Sequence, residues 1–268
     1  LTAAEDAGAE FLRWSVNGME TDLTLGSTIF SAEGTRQSLV RYISPEWGGF
    51  VFSANWADNA GDVEDDDFFV NDRDNGEGWG VALRYANEWN GVRFAAGVGY
   101  SEDKHEGTDS GDQVQEFGTS VSFQHVATGI YVAGAWGYED NDAVDGDFRD
   151  KAWNISFGVN RKLNPIGATN IGGYYAHWDA SNGSVGGITR FTGLGVDDET
   201  GQLGATCYDI AGVETRAFGF TIDQAIDAAA MNVYLQYHNL KGDIDIVDGG
   251  SVDTDTTHLL MMGAILRF

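Results

Sequence analysis

The sequence predicts an all-β fold, a transmembrane antiparallel β-barrel, and three observations lead to it. Strand-like runs alternate apolar with polar or tiny residues at period two, as a wall between two different media requires. The runs are joined alternately by very short turns and by long polar stretches, the asymmetry of a barrel whose turns are short at one end only. No run of eighteen apolar residues occurs in the 268-residue chain, so no segment reads as a membrane-spanning helix. A tilted spanning strand needs only about 9–11 residues.

Residues 1–35 are the least regular part. Ala3 to Ala9 fit a short helix or a loop, and Phe11 to Val16 and Thr21 to Phe30 are weak strand candidates around the turn pair Asn17-Gly18. From Arg36 the pattern becomes regular. Runs 36–44 and 49–57 pair across Pro45-Glu46-Trp47-Gly48, 78–88 and 92–100 across Asn90-Gly91, and 115–126 and 129–138 across Ala127-Thr128. Further on, 152–162 and 168–178 pair across Asn164-Pro165, and 213–224 and 228–239 across Ala225-Ile226-Asp227. The alanines of Ile222 to Met231 also suit a helix, but the flanks Arg216 to Phe220 and Val233 to Tyr237 are strand-like and favour a hairpin. The connections 58–77, 101–114, 139–151, 179–212 and 240–255 are long and polar. The chain closes on 258–268, the eleventh strand counted from Arg36. Its Leu260, Met262, Ala264, Leu266 and Phe268 share one face.

Each well-patterned strand has one apolar face and one polar or tiny face. Trp79, Val81, Leu83 and Tyr85 oppose Ala82 and Arg84; Val92, Phe94, Ala96, Val98 and Tyr100 oppose Arg93, Ala95, Gly97 and Gly99. A soluble sandwich would turn apolar residues inward from both sheets, so the pattern points to lipid outside and water inside. Tyr42, Trp47, Trp56, Trp89, Trp136, Tyr138, Trp178 and Tyr237 fall toward strand ends, where amphipathic rings suit the two interfaces.

A net charge of −27 argues against nucleic acid as a partner, because phosphate binding needs a basic surface. One cysteine, Cys207, excludes an internal disulfide framework and a cysteine zinc site. Leu1 is not an initiator Met and no basic-then-apolar signal segment opens the chain, so a processed or truncated N-terminus is expected.

The stretch Val40-Arg41-Tyr42-Ile43-Ser44-Pro45-Glu46-Trp47-Gly48-Gly49-Phe50, followed by Phe52-Ser53-Ala54-Asn55-Trp56, resembles the trimeric general-diffusion porins of Gram-negative bacteria, most closely those of alphaproteobacteria. The segment from Gly78 to Tyr100 is similar to the same family, and Phe268 resembles the terminal signal read by outer-membrane assembly machinery. The resemblance implies a sixteen-stranded barrel in the outer membrane, a homotrimer in contact with outer-membrane lipid and lipopolysaccharide, and passive diffusion of small hydrophilic solutes and ions. It makes 36–44 the sixth strand, with the first five expected ahead of residue 1. Residues 1–35 would then hold the loop that folds into the pore and constricts it, and 36–268 the barrel strands with their acidic outer loops.

No enzyme is expected. His177 and Ser181 superficially resemble the residues of outer-membrane phospholipase barrels, but Ser181 has already entered a Gly-rich loop, away from the hydrogen-bond reach a nucleophile needs. No cofactor is implied. Asp65, Asp66, Asp67, Asp72 and Asp74 are candidate ligands for a structural calcium, which takes six to eight oxygens, although no full calcium-loop motif is present. A solvated acidic face is the better reading of them. By the alternation, Arg41, Arg84, Arg93, Glu88, Glu116 and Asp223 point into the lumen and are the pore-lining candidates. The family's arginine row sits on its early strands and does not transfer to these positions. Acidic mouths concentrate cations, so a mild cation preference is expected. The alternative is a structural or attachment barrel whose acidic loops bind calcium or a surface partner.

Overall fold

A computed structural model of the chain describes residues 13–17, 19–24, 39–57, 75–105, 113–141, 148–181, 190–196, 203–247 and 250–266. β1 (Arg13–Val16) and β2 (Met19–Thr24) form a hairpin of their own, turned at Asn17 with φ 52°. There follow β3 (Leu39–Ile43), β4 (Phe50–Ala57), β5 (Asn75–Trp89), β6 (Val92–His105), β7 (Gln113–His125) and β8 (Ile130–Asn141). The second half comprises β9 (Phe148–Asn164), β10 (Gly167–Ser181), β11 (Arg190–Val196), β12 (Leu203–Ile226), β13 (Met231–Ile246), β14 (Ser251–Asp253) and β15 (Thr257–Leu266).

From β3 to β15 the strands form one antiparallel sheet in chain order. Two short strands depart from that order. β11 pairs with the first part of β12, and β14 continues the line of β15 along β13. Setting these two aside leaves eleven wall strands, as the alternation predicts. Among the described residues, the outer edges of β3 and β15 have no partner strand.

The short turns follow from local chemistry. Asn90 and Gly91 both take positive φ, 47° and 74°, which matches the twist of β5 and β6 and is open mainly to Asn and Gly. Between β12 and β13 the alanines make one turn of 3₁₀ helix over Asp227–Ala229 rather than a helix through the whole segment, and the hairpin stands.

All five long connections are shorter than the sequence suggests, with β5 starting at Asn75, β6 running to His105 and β7 starting at Gln113. β8 and β9 take up both ends of 139–151, β13 and β14 occupy most of 240–255, and 179–212 carries the antiparallel pair of β11 and β12. Backbone pairing therefore continues past the apolar band. Tyr138, opposite Phe117, is aromatic, whereas the next outward residues along the same row are Lys151, Asp179, Glu214 and Asp243.

The two faces differ sharply. Outward lie Trp79, Val81, Leu83, Val98, Phe123, Ile155, Phe157, Phe220, Leu260 and Met262, all exposed on this single chain. So continuous an apolar surface suits contact with lipid, because a water-facing monomer rarely shows a patch beyond a few hundred Å². Aromatics band this face: Phe50, Tyr85, Trp89, Phe94 and Phe123 contact one another in succession near the short turns, and Phe117, Trp136 and Tyr138 near the other end.

The inward face is mostly small or polar. Tyrosines there lie along the wall over glycines of the neighbouring strands. A Cβ on Gly158 would come within 2.7 Å of the Tyr131 hydroxyl, and side chains on Gly219 and Gly263 would collide with Tyr174 and Tyr234. An apolar patch interrupts this face on β10, β12 and β13, where Ala176, Trp178, Ala180, Ile210, Val213, Ala217, Leu240 and Ile244 are buried together with Trp14 of the hairpin. Trp178 thus points inward into this cluster, not outward into the aromatic band that its position near a strand end suggested.

Candidate functional site

The inward face of the sheet is the candidate site, and its polar residues arise from period two. Since direct partners on adjacent strands share a face, the register lines them up in rows across the sheet. Arg41 lies opposite Asn55, and Asn55 opposite Gly80 and then Ser101. Arg41 lines a concavity of about 450 Å³ with Ser53, Asn55, Ser101, Asp103 and Glu116. Arg84 lines a second, of about 600 Å³, with Glu46, Ser120, Ser122 and Asn154. Glu88 and Arg93 line a third, of about 660 Å³, near the short turns with Gln124, Tyr131, Asn160 and Asn170.

Of the six pore-lining candidates, Arg41, Arg84, Arg93, Glu88 and Glu116 therefore lie on these concave stretches. Their electrostatic roles differ. Arg93 Nε is 3.1 Å from Glu88 Oε2, both side chains are well exposed, and the two charges largely cancel. Glu116 Oε2 accepts a hydrogen bond of 3.0 Å from Ser101 Oγ. Asp223, the further inward carboxylate, accepts one of 2.7 Å from Asn232.

Two inward carboxylates were not singled out by the sequence. Glu116 pairs in register with Glu139 on β8, and Glu139 with Asp150 on β9. They look like loop residues because the apolar alternation stops at Tyr138, yet Glu139 continues its parity. Following period two one step beyond the aromatic band would have found both. Along the same row the sheet then passes from Asp150 toward Ala180, Val213 and Ile244, the dock of Trp14.

Above the aromatic band the outward face carries a collar of paired charges. Arg216 bridges Glu214 at 2.6 Å and Asp243 at 3.2 Å, and Lys241 pairs with Asp253 at 2.8 Å. Arg149 pairs with Asp140 while its guanidinium lies over the Tyr138 ring. His177, outward on β10, stacks beside Trp153 and lies 3.7 Å from Glu214. The calcium candidates Asp65, Asp66, Asp67, Asp72 and Asp74 and the terminal Phe268 lie outside the described residues. Among the described residues no three His, Cys, Asp or Glu side chains converge on a metal position.

Comparison with known proteins agrees with this geometry. No curated protein sequence matches the chain. Among solved structures, the outer membrane channel DcaP of Acinetobacter baumannii superposes with a TM-score of 0.50 at 13% identity, over 95% of this chain and 69% of the other. At that identity the likeness speaks for the fold, which is that of an outer-membrane channel barrel. The sequence profile of the Gram-negative porins matches residues 1–261. With that match spanning nearly the whole chain, on a wall that is apolar toward lipid and polar within, the protein belongs to the Gram-negative porins and to the outer membrane.

Proposed function

We propose that this porin is a water-filled channel through which small hydrophilic solutes and ions diffuse passively, with a mild preference for cations and with no reaction catalysed. The observation that carries the charge preference is the half-buried inward pair Glu116 and Glu139 on adjacent strands, with Ser101 beside them. Against it stand Arg41, Arg84 and Arg93, of which Arg93 is already paired with Glu88. An excess of fixed carboxylates along a water-filled wall raises the local cation concentration and lowers that of anions. Residues 1–35 supply the constriction in this reading, because the β1–β2 hairpin leans on the inward face through Trp14. A homotrimer embedded in outer-membrane lipid and lipopolysaccharide completes the proposal. The charged collar above the aromatic band supports that setting, since phosphorylated headgroups and their counterions match it.

The test is the reversal potential of single channels in planar bilayers under a salt gradient. A potential of the sign set by cation flow is expected. Anion preference overturns the selectivity, and absence of conductance favours a plugged attachment barrel instead.

A further inference from the structure

The inward apolar patch is out of place on a wall that faces water, and what covers it is known. Trp14 is 0% exposed although it belongs to a hairpin of its own, far in sequence from the wall strands it packs against. The patch is shaped for an indole. Ala176, Ala180 and Ala217 are small, a Cβ on Gly242 would meet Thr254 at 3.3 Å and the indole Cζ2 at 3.5 Å, and Ile210, Val213, Leu240 and Ile244 are buried in the same cluster. Polar contacts pin the neighbouring residue. Asp255 N–H donates to Ser15 O at 2.7 Å, and Ser15 Oγ donates to Asp255 Oδ2 at 3.0 Å. Thr254 in turn exchanges hydrogen bonds with Gly242, its N–H to Gly242 O and Gly242 N–H to its Oγ1, both at 2.8 Å. The segment 254–255 therefore joins the floor of the dock to the hairpin.

We infer that Trp14 is the positioning residue that fixes the hairpin to β10, β12 and β13 and so sets the clear width of the lumen. The inference rests on the channel reading above. A β-layer stacked on a wall occupies about 10 Å, a large share of a porin lumen, so its placement governs which solutes pass. The dock lies on the same row as Glu116, Glu139 and Asp150. A seated hairpin consequently leaves Glu116 and Glu139 as the wall past which solutes move, while Asp150 beside the dock is buried.

The experiment compares the full chain with Trp14→Ala, Trp14→Phe and Gly242→Val in planar bilayers and in a liposome-swelling assay with sugars of graded size. Trp14→Ala loses the anchor, and the branched side chain of Gly242→Val crowds both Thr254 and the indole, loosening the seat while leaving Trp14 in place. Both are expected to raise single-channel conductance, by roughly twofold if a layer of about 10 Å leaves the lumen, and to shift the exclusion limit to larger sugars. Trp14→Phe is expected to stay near the parent. A residue that only stabilises the fold would lower the thermal midpoint in detergent without moving conductance or the exclusion limit, and that result in both Trp14→Ala and Gly242→Val overturns the inference. If the parent chain itself passes no current, the channel reading fails first.

Discussion

At the scale of residues, the proposed cation preference rests on inward carboxylates that share a row. Glu116 and Glu139 lie side by side on β7 and β8, and a unit charge about 4 Å away in a water-like medium is worth about 1 kcal/mol, roughly fivefold in local concentration. The double substitution Glu116→Gln, Glu139→Gln is therefore expected to reduce the cation-to-anion permeability ratio by a factor of a few, read as a reversal potential moving toward zero. Glu88→Gln is the instructive contrast. It removes the partner of Arg93 near the short turns, and the freed guanidinium favours anions there. Trp14 belongs to the same scale. Truncating a buried Trp costs about 3–5 kcal/mol, more than a two-stranded hairpin holds in isolation, so the hairpin depends on its dock.

At the scale of elements, each wall strand is a boundary between two solvents, which fixes the sign of almost any substitution. Leu83 and Ala82 are neighbours on β5 with opposite faces. Leu83→Arg places a charge in lipid and is expected to cost about 2–4 kcal/mol near mid-membrane. Ala82→Arg, facing water, is expected to change stability little and conductance more. Urea unfolding in phospholipid vesicles separates the two. This sign rule is also why so much was legible in the chain: period two survives wherever one face meets lipid, and the strand pairs from β3 to β10 and the final strand read directly from it. Legibility ended where lipid ends. Past Tyr138 and before Ala152 the backbone still pairs, but the outward residues turn charged, so strand and loop look alike. The dock of Trp14 was hidden for another reason. It joins segments far apart in sequence, and its trace was only that Trp178, Leu240 and Ile244 are apolar at inward positions.

At the scale of the whole molecule, a net charge of −27 surrounds the pore with a field that acts at a distance. Salt separates that field from the contribution of the wall. Raising ionic strength from about 0.1 M to 1 M shortens the screening length from about 10 Å to about 3 Å. The part of the proposed cation preference due to the acidic connections is expected to vanish across that range, while the part due to Glu116 and Glu139 persists. A titration of reversal potential against salt at a fixed gradient ratio checks this, since a purely loop-driven preference falls to nothing. The division of roles was legible from composition only as a sign. Its location needed the register, which carries a carboxylate in the middle of the sheet onto the same row as the hairpin's seat.

The inward tyrosines carry one more consequence. Tyr131, Tyr174 and Tyr234 lie down over the glycines of adjoining strands, where upright rings would have jutted into the path. In the channel proposed above, rings lying flat against the wall would take less of the path than upright ones. Glycine at Gly158, Gly219 and Gly263 is in this sense a matter of throughput: the rings stay flush because nothing beneath them stands up.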